Sequence, residues 1–176
     1  MTNDAYGSLS VENGAYVLRF ERRLSHPVEK VWQALTDPAA LRHWFPQDVE
    51  GGWAPGAKLQ FVFRTEEAYD DIPPFYGEVL EYDPPRLLAY SWGPDSLRWE
   101  LRPDGDGCLL IFTDTLEEQG KAARDGAGWH VCLDHLRAWI DGTEHPPADS
   151  WTQVHPRYVE RFGPAAATLG PPTPKR

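Results

Sequence analysis

The chain has 176 residues, of which 41% are hydrophobic, so it is long enough for one domain with a substantial core but not comfortably for two. Its formal net charge is -10, and no group of Lys and Arg offsets that charge locally, which argues against nucleic acid and anionic membrane surfaces as partners. The sequence has neither a basic start followed by an apolar run nor a stretch apolar enough to span a membrane, so we expect a cytoplasmic protein.

The composition divides the chain into three parts. Residues 1–14 are polar and acidic and are expected to form a flexible leader. Residues 15–145 carry the periodic patterns of the folded domain. Residues 146–176 are expected to form an extension with a short helix over 157–162, opened by Pro156, and a mobile tail rich in Pro.

The first elements are a strand and two short helices. Over residues 15–24 the apolar side chains of Leu18, Phe20 and Leu24 share one face, which predicts a strand. The spacing then becomes helical after Pro27, and Asp37 followed by Pro38 is typical of a second helix start. The apolar residues of these two helices are Val28, Val31, Trp32, Leu35, Leu41, Trp44 and Phe45.

From residue 49 the pattern becomes extended and predicts about six strands. The clearest of them cover 58–65, 75–82, 87–92, 96–102 and 108–116. Short turns separate them, and the Asp-Gly-Asp-Gly sequence at 104–107 favours a tight hairpin because Gly tolerates positive φ. Successive strands with short turns indicate an antiparallel meander rather than parallel units with crossover helices.

The longest predicted helix, over 127–141, comes last. One apolar stripe runs along it, and Gly142 is expected to end it. The stripe consists of Trp129, Cys132, Leu133, Leu136 and Ile140. His130 falls off this stripe, so we expect it to face solvent. Gly126 and Gly128 either mark the start of the helix or allow another element to approach its backbone closely.

These elements predict an α+β fold in which a curved antiparallel sheet wraps around the long C-terminal helix, with two short helices after the first strand. A single curved sheet cannot bury its inner face alone, and the last helix is the only predicted element long enough to cover it. Eight Trp, seven Tyr and seven Phe are more aromatic residues than a minimal core needs, so we expect some of them to line a pocket, with ordinary core packing as the alternative.

Four segments resemble the SRPBCC (START-like) superfamily and, within it, the group similar to the activator of heat-shock protein 90 ATPase. They are FERRLSHPVEKVWQALTDP at 20–38, HWF at 43–45, GEVLEYDPPRL at 77–87 and GWHVCLDHL at 128–136. The resemblance covers about residues 15–142. It implies a helix-grip fold whose sheet and last helix enclose a cavity for a lipid, an aromatic compound or a polyketide, and homodimers are common in such folds.

A cavity of this kind would be lined by residues of the sheet and of the last helix. The candidate lining residues are Trp44, Phe63, Tyr76, Glu78, Tyr90, Trp92, Trp99, Phe112, Trp129 and Leu133. Strand register decides which of them face inward, since a slip of one residue reverses every assignment.

Polar candidates for chemistry are Glu78, Tyr90, Arg98, Glu100 and His130. Of these we expect Glu78, Arg98 and Glu100 to be solvated, because the last two alternate with apolar residues. No metal site is predicted, since His130 and His135 are five residues apart rather than the four that place two imidazoles on one helical face. No phosphate-binding, dinucleotide-binding or nucleophile motif is present, so no cofactor is predicted.

Three functions remain open from the sequence. The first is a non-catalytic carrier or binding protein for a small hydrophobic molecule. The second is a cofactor-free enzyme in the same cavity, such as a cyclase, dehydratase or hydrolase, and a desolvated Glu78, Glu100 or His130 facing that cavity would favour it. The third is a protein-interaction module related to co-chaperones, which predicts a filled core and a contiguous exposed apolar patch. Trp44, Phe45, Pro46 and Trp151 are the candidates for that patch.

Overall fold

A computed structural model describes residues 5–64 and 72–170 of the chain. One sheet of eight antiparallel strands, in the order β1-β2-β8-β7-β6-β5-β4-β3, forms the body of the fold. The strands are β1 (Ser8–Glu12), β2 (Ala15–Leu24), β3 (Gln47–Gly51), β4 (Lys58–Phe63), β5 (Phe75–Asp83), β6 (Leu87–Trp92), β7 (Asp95–Asp104) and β8 (Gly107–Leu116).

Four α-helices accompany the sheet in the described part of the chain. They are α1 (Val28–Thr36), α2 (Pro38–Leu41), α3 (Ala122–Asp141) and α4 (Ser150–Phe162). The 20-residue α3 packs its buried face toward the sheet and ends at Gly142, whose φ of 67° is the left-handed conformation that glycine adopts most easily. The α+β helix-grip architecture and the meander of six strands after α2 are therefore confirmed. No helix among residues 5–64 and 72–170 is long and apolar enough to cross a membrane.

The local patterns of the first elements hold in the structure. Leu18, Phe20 and Leu24 are buried on one face of β2, and the apolar stripe of α1 is buried as well. The Asp37 side chain accepts a hydrogen bond from the backbone N–H of Ala39 at 2.9 Å and so caps α2, as its place before Pro38 predicts.

The described residues near both ends of the chain form structure that the sequence does not predict. Residues 8–12 of the expected leader form β1, which pairs with β2 along its whole length. Its side chains are mostly exposed, so the pairing comes from backbone hydrogen bonds and leaves little signal in the hydrophobic pattern. At the other end Ala166 is buried, and the N–H of Leu169 donates to the carbonyl of Gly120 at 3.0 Å. Residues 1–4, residue 65 of the predicted strand and residues 171–176 of the predicted tail lie outside the described residues.

Two helices begin earlier than predicted. The longest, α3, begins at Ala122 rather than at residue 127, and α4 begins at Ser150 with Pro156 inside it rather than at its start. The reason is tertiary packing: α4 lies against α3 and buries Tyr158, and such contacts outweigh the loss of one backbone hydrogen bond at a proline.

Gly126 and Gly128 lie inside α3 and face different surroundings. A Cβ at position 126 would lie 3.1 Å from Cδ1 of Tyr158 and 3.3 Å from Cε2 of Phe162, whereas a Cβ at position 128 would meet no atom within 4 Å. Gly126 therefore allows α4 to approach the α3 backbone closely, and Gly128 opens onto free space. Neither glycine marks the helix boundary.

The surroundings of Gly126 and Gly128 predict opposite effects of an alanine substitution at the two positions. We expect Gly128→Ala to raise the free energy of unfolding by about 0.5–1 kcal/mol, because it removes a glycine from a helix interior. We expect Gly126→Ala to lower it by about 1 kcal/mol or more, since Tyr158 is fully buried and its hydroxyl is held by the N–H of Gly7 at 2.9 Å. Urea unfolding followed by circular dichroism measures the free energy of unfolding of each variant. Changes of the same sign would contradict the close packing at position 126 or the free space at position 128.

Candidate functional site

The space between the sheet and α3, where the sequence predicts a cavity, is filled by aromatic side chains. Trp99 stacks on Phe112 with ring centroids 4.0 Å apart, and Trp129 of α3 meets Phe112 edge-on at 4.8 Å. Trp44 closes the cluster from the α2 side, 5.3 Å from Trp99. All four rings are buried in the core, and Trp129 also lines the recess that lies beside it.

Three further candidates also belong to the core or its margin. Tyr90 is buried and accepts a hydrogen bond from the indole N–H of Trp99 at 3.1 Å; burial raises the pKa of its phenol above the ordinary value. Leu133 is buried under α3. Phe63 is half-buried at the end of β4, 5.8 Å from Phe75.

Tyr76 and Glu78 do not face the interior. They lie on the outer face of β5, because the register turns the neighbouring Val79 inward. Tyr76 is 64% exposed, and Glu78 forms an ion pair with Lys58 on the adjacent strand. Their assignment as cavity residues is wrong, although the solvated environment that the sequence favours for Glu78 is confirmed.

Arg98 and Glu100 are solvated as expected. They pair across the outer face of β7 at 2.8 Å, and the hydrogen bond from Arg98 is the largest effect that lowers the pKa of the Glu100 carboxyl. Because both side chains lie on the outer face of the sheet and are partly exposed, neither contributes to an enclosed site.

His130 is buried, which contradicts the prediction that it faces solvent. Its Nδ1 lies 2.9 Å from the hydroxyl of Tyr158, and the ring of Tyr6 packs 4.7 Å away. The periodicity of α3 shows only the stripe that faces the sheet. The second buried face arises because α4 and the N-terminal segment cover the opposite side of the helix.

An apolar recess lies beside the filled core, at the start of α3. Its volume is about 210 Å³. The lining residues are Pro46, Trp92, Arg124, Asp125, Gly128, Trp129, Cys132 and Trp151. Only Trp92 and Trp129 were among the predicted lining residues. Of the others, Gly128 and Cys132 belong to the predicted long helix, and Arg124 and Asp125 to the part of α3 that precedes its predicted start. Pro46 and Trp151 come from segments whose approach to that helix no local pattern predicts.

Three tryptophans from different elements form the walls of this recess. Trp92, at the end of β6, donates its indole N–H to Oε1 of Gln47 at 3.1 Å and lies 5.3 Å from the ring of Trp129. Trp151, in the first turn of α4, donates its indole N–H to the backbone carbonyl of Arg124 at 3.4 Å. Each indole is therefore held in place at its polar edge, which leaves ring carbon atoms to contact a ligand.

A cluster of three carboxyl groups, those of Asp95, Asp114 and Asp125, adjoins the recess, and Asp125 itself lines it. One oxygen atom of each lies within 4.8 Å of the others. Lys121 binds Asp95 at 2.7 Å, and Arg124 binds Asp125 at 2.7 Å. These carboxyl groups come from β7, β8 and α3, so no sequence spacing brings them together.

Asp114 has no cation of its own. Its Oδ2 accepts the indole N–H of Trp129 at 2.8 Å, whereas its Oδ1 is buried without a hydrogen-bond partner. Burial first, and then the negative charges of Asp95 and Asp125, raise the pKa of the Asp114 carboxyl well above its ordinary value. Burial also raises the pKa of Asp125, which lines the recess. The Asp114 site thus favours a neutral carboxylic acid.

Cys132 lines the recess as a neutral thiol. Burial raises the pKa of this thiol to about 12, so it offers an apolar contact rather than a nucleophile.

Comparison with protein families places most of the chain in a known group. The model of the family described as Activator of Hsp90 ATPase homolog 1-like protein matches residues 25–141. This range includes all of the recess except Trp151. No protein with a curated description matches the sequence.

Solved structures share this fold. The protein EF2215 from Enterococcus faecalis is 21% identical, with a TM-score of 0.74 over 89% of this chain and 90% of that one. BPP1335 from Bordetella parapertussis is 28% identical, with a TM-score of 0.69 over 92% and 95% of the two chains. CalU16 from Micromonospora echinospora is 23% identical, with a TM-score of 0.70 over 89% and 96%.

Proposed function

We propose a ligand-binding function for this chain, which belongs to the family of Activator of Hsp90 ATPase homolog 1-like proteins: a small, largely apolar molecule binds in the recess between β6, α3 and α4. The observation that carries the proposal is the composition of the recess. Three indoles and a neutral thiol provide apolar walls, and the Arg124–Asp125 pair provides one polar edge. A few polar groups in an otherwise apolar concavity are typical of small-molecule sites.

The size of the recess limits the ligand. At about 210 Å³ it is smaller than the roughly 300–1,000 Å³ of sites for drug-sized molecules. Long lipids and large polyketides are therefore poor candidates as fully enclosed ligands. A compound with one or two rings, or a branched aliphatic group of similar size, fits better.

Filling the recess tests this proposal. We expect Gly128→Leu to weaken binding of indole, phenol and naphthol by at least about tenfold, because its side chain would occupy the free space beside the tryptophans. The measurement is quenching of intrinsic tryptophan fluorescence during titration with each compound. Gly128→Ala is the matched control, since it brings the same gain in helix propensity with a much smaller side chain. Saturable binding that Gly128→Leu leaves unchanged would place the ligand elsewhere and contradict the proposal.

One observation favours a cofactor-free enzyme as a second candidate. The Asp125 carboxyl lines the recess, and burial raises its pKa, as is useful for a general acid. In that case Asp125→Asn would retain binding of a substrate and lose its turnover.

The protein-interaction alternative has less support. The filled core agrees with it, but the large apolar side chains most exposed among the described residues are Val11, Tyr76, Leu80 and Leu169. They lie on β1, on β5 and after α4, and β1 and β5 are not neighbours in the sheet, so they do not form the contiguous patch that a docking surface requires. Homodimer formation stays a prediction.

A further inference from the structure

Arg124 and Asp125 form the charged part of the recess wall. Nε of Arg124 donates to Oδ1 of Asp125 at 2.7 Å. Within residues 5–64 and 72–170, neither Nη atom of Arg124 donates a hydrogen bond to another group. A guanidinium has five N–H donors, of which Nε carries one. The four donors on the Nη atoms therefore remain for a ligand.

The Nη atoms of Arg124 are accessible as well as unused. The side chain is 29% exposed, and neither Nη is among the buried polar atoms that lack a hydrogen-bond partner in the described part of the chain. By contrast, the indole N–H groups of Trp92, Trp129 and Trp151 each donate to a protein oxygen. Among the N–H groups of the side chains that line the recess, those of the Arg124 Nη atoms are the ones left to a bound molecule.

The charge of the wall decides which acceptor these donors favour. Asp125 already offsets the positive charge of the Arg124 guanidinium, so a full negative charge on a ligand would gain little. The net charge of -10 of the whole chain opposes such a ligand further. A carbonyl oxygen accepts hydrogen bonds without adding a charge, and bonds from a charged donor are stronger than bonds from a neutral one.

We propose that the recess binds ring compounds that carry an uncharged carbonyl group, whose oxygen accepts hydrogen bonds from the Nη groups of Arg124. This inference rests on the proposed function and specifies its ligand class. The ring of the ligand lies among the three tryptophans, and the carbonyl group points to the polar edge of the recess. Arg124 is then the residue that distinguishes a carbonyl compound from a hydrocarbon of the same shape.

The decisive comparison is between acetophenone and isopropenylbenzene, in which a methylene carbon replaces the carbonyl oxygen. The two compounds have nearly the same shape, and the hydrocarbon is the more hydrophobic. The informative quantity is therefore the ratio of their dissociation constants, compared between the wild type and its variants. We expect Arg124→Met to weaken acetophenone binding by at least about fivefold relative to isopropenylbenzene, because it removes a charged donor. Titrations followed through the tryptophan indole N–H signals in NMR spectra measure each dissociation constant.

Two further variants locate the effect. Arg124→Met alone leaves the Asp125 carboxylate without its cation, so the double variant Arg124→Met with Asp125→Asn should show the same change of ratio with both charges absent. The backbone carbonyl that accepts the Trp151 N–H is retained in both. Arg137→Met is the matched control: Arg137 is also an arginine of α3, but it donates to the carbonyl of Arg23 at 3.0 Å and does not line the recess. It should leave the ratio unchanged.

The possible results separate this inference from the proposed function. An unchanged ratio in both Arg124 variants would overturn the role of Arg124, and ligand binding in the recess would stand if Gly128→Leu still weakens binding of both compounds. Tighter binding of benzoate than of acetophenone would overturn the uncharged class. A change of ratio in Arg137→Met as large as that in Arg124→Met would also overturn the inference. If neither compound binds, or if Gly128→Leu affects neither, the proposed function fails with it.

Discussion

Replacing Lys121 with Met is expected to destabilise the protein by about 3–5 kcal/mol, because it leaves a buried carboxylate without its cation. Lys121 and Asp95 are both buried and lie 2.7 Å apart. Asp95 also accepts the backbone N–H of Glu117 at 2.9 Å, so the ion pair is tied to the segment that follows β8. Without the Lys121 ammonium group, the Asp95 carboxylate would be stabilised by hydrogen bonding alone.

Asp114→Asn, in the same cluster, is expected to have the opposite effect near neutral pH. The amide oxygen can still accept the N–H of Trp129, and the NH₂ group at the place of the unpartnered Oδ1 can donate to the neighbouring carboxylates. The variant also removes the only carboxyl of the cluster that has no cation.

The difference in free energy of unfolding between Asp114→Asn and the wild type should depend on pH, in a direction that follows from the pKa of Asp114. The pKa of Asp114 in the folded protein is raised above its ordinary value of 3.8. As the pH rises, Asp114 therefore loses its proton at a lower pH in the unfolded chain than in the folded protein. The free energy of unfolding of the wild type falls from about pH 3.8 upward, until the pKa of Asp114 in the folded protein is passed. The advantage of Asp114→Asn should be absent below pH 3.8 and grow as the pH increases.

Urea unfolding at several pH values measures these effects. The double variant Lys121→Met with Asp95→Asn is the control, and it should recover much of the loss because both charges are then absent. A large loss of stability in Asp114→Asn at neutral pH, comparable to that of Lys121→Met, would show that Asp114 is an ionised partner of Lys121 and would contradict the charge balance described here.

Trp99→Ala is expected to cost about 3–5 kcal/mol, because Trp99 is fully buried at the centre of the aromatic cluster and its neighbours can fill only part of the space. The cavity left behind would have the shape of an indole and apolar walls apart from the Tyr90 hydroxyl, which could accept the N–H of an added indole. Added indole should therefore raise the Tm of this variant by several degrees more than that of its parent.

The measurement is thermal unfolding with and without indole, in proteins that both carry Gly128→Leu so that the recess is blocked. Equal shifts of Tm for parent and variant would contradict the conclusion that Trp99 and its neighbours fill the space between sheet and helix. The two Tm shifts thus test whether aromatic side chains fill the space in which the sequence predicts a cavity.

Several features of the fold are predictable from neighbouring residues alone. The alternation of Leu18, Phe20 and Leu24 determines the buried face of β2, and Asp37 followed by Pro38 determines the start of α2, since both are consequences of side chains a few positions apart. The six-strand meander is likewise predictable from its turns. The family resemblance in the sequence agrees with the match over residues 25–141.

The candidate site is predictable only in part. Trp92 and Trp129 are among the expected lining residues, but the inner or outer position of Tyr76 and Glu78 depends on the register of β5, which the sequence leaves open. The sequence likewise could not distinguish a cavity from a core made of the same rings, because filling depends on how closely Trp44, Trp99 and Phe112 approach one another.

The sequence by itself therefore determined the fold class, the order of the central elements and the helix that covers the sheet, because periodicity and turn residues act over short distances along the chain. Only the tertiary structure decided that α4 buries His130 and that Trp151 reaches the recess. The same holds for Asp95, Asp114 and Asp125, which lie far apart along the chain. Their proximity depends on the pairing of β7 with β8 and on the docking of α3, and those contacts follow from packing of the whole chain rather than from any local pattern.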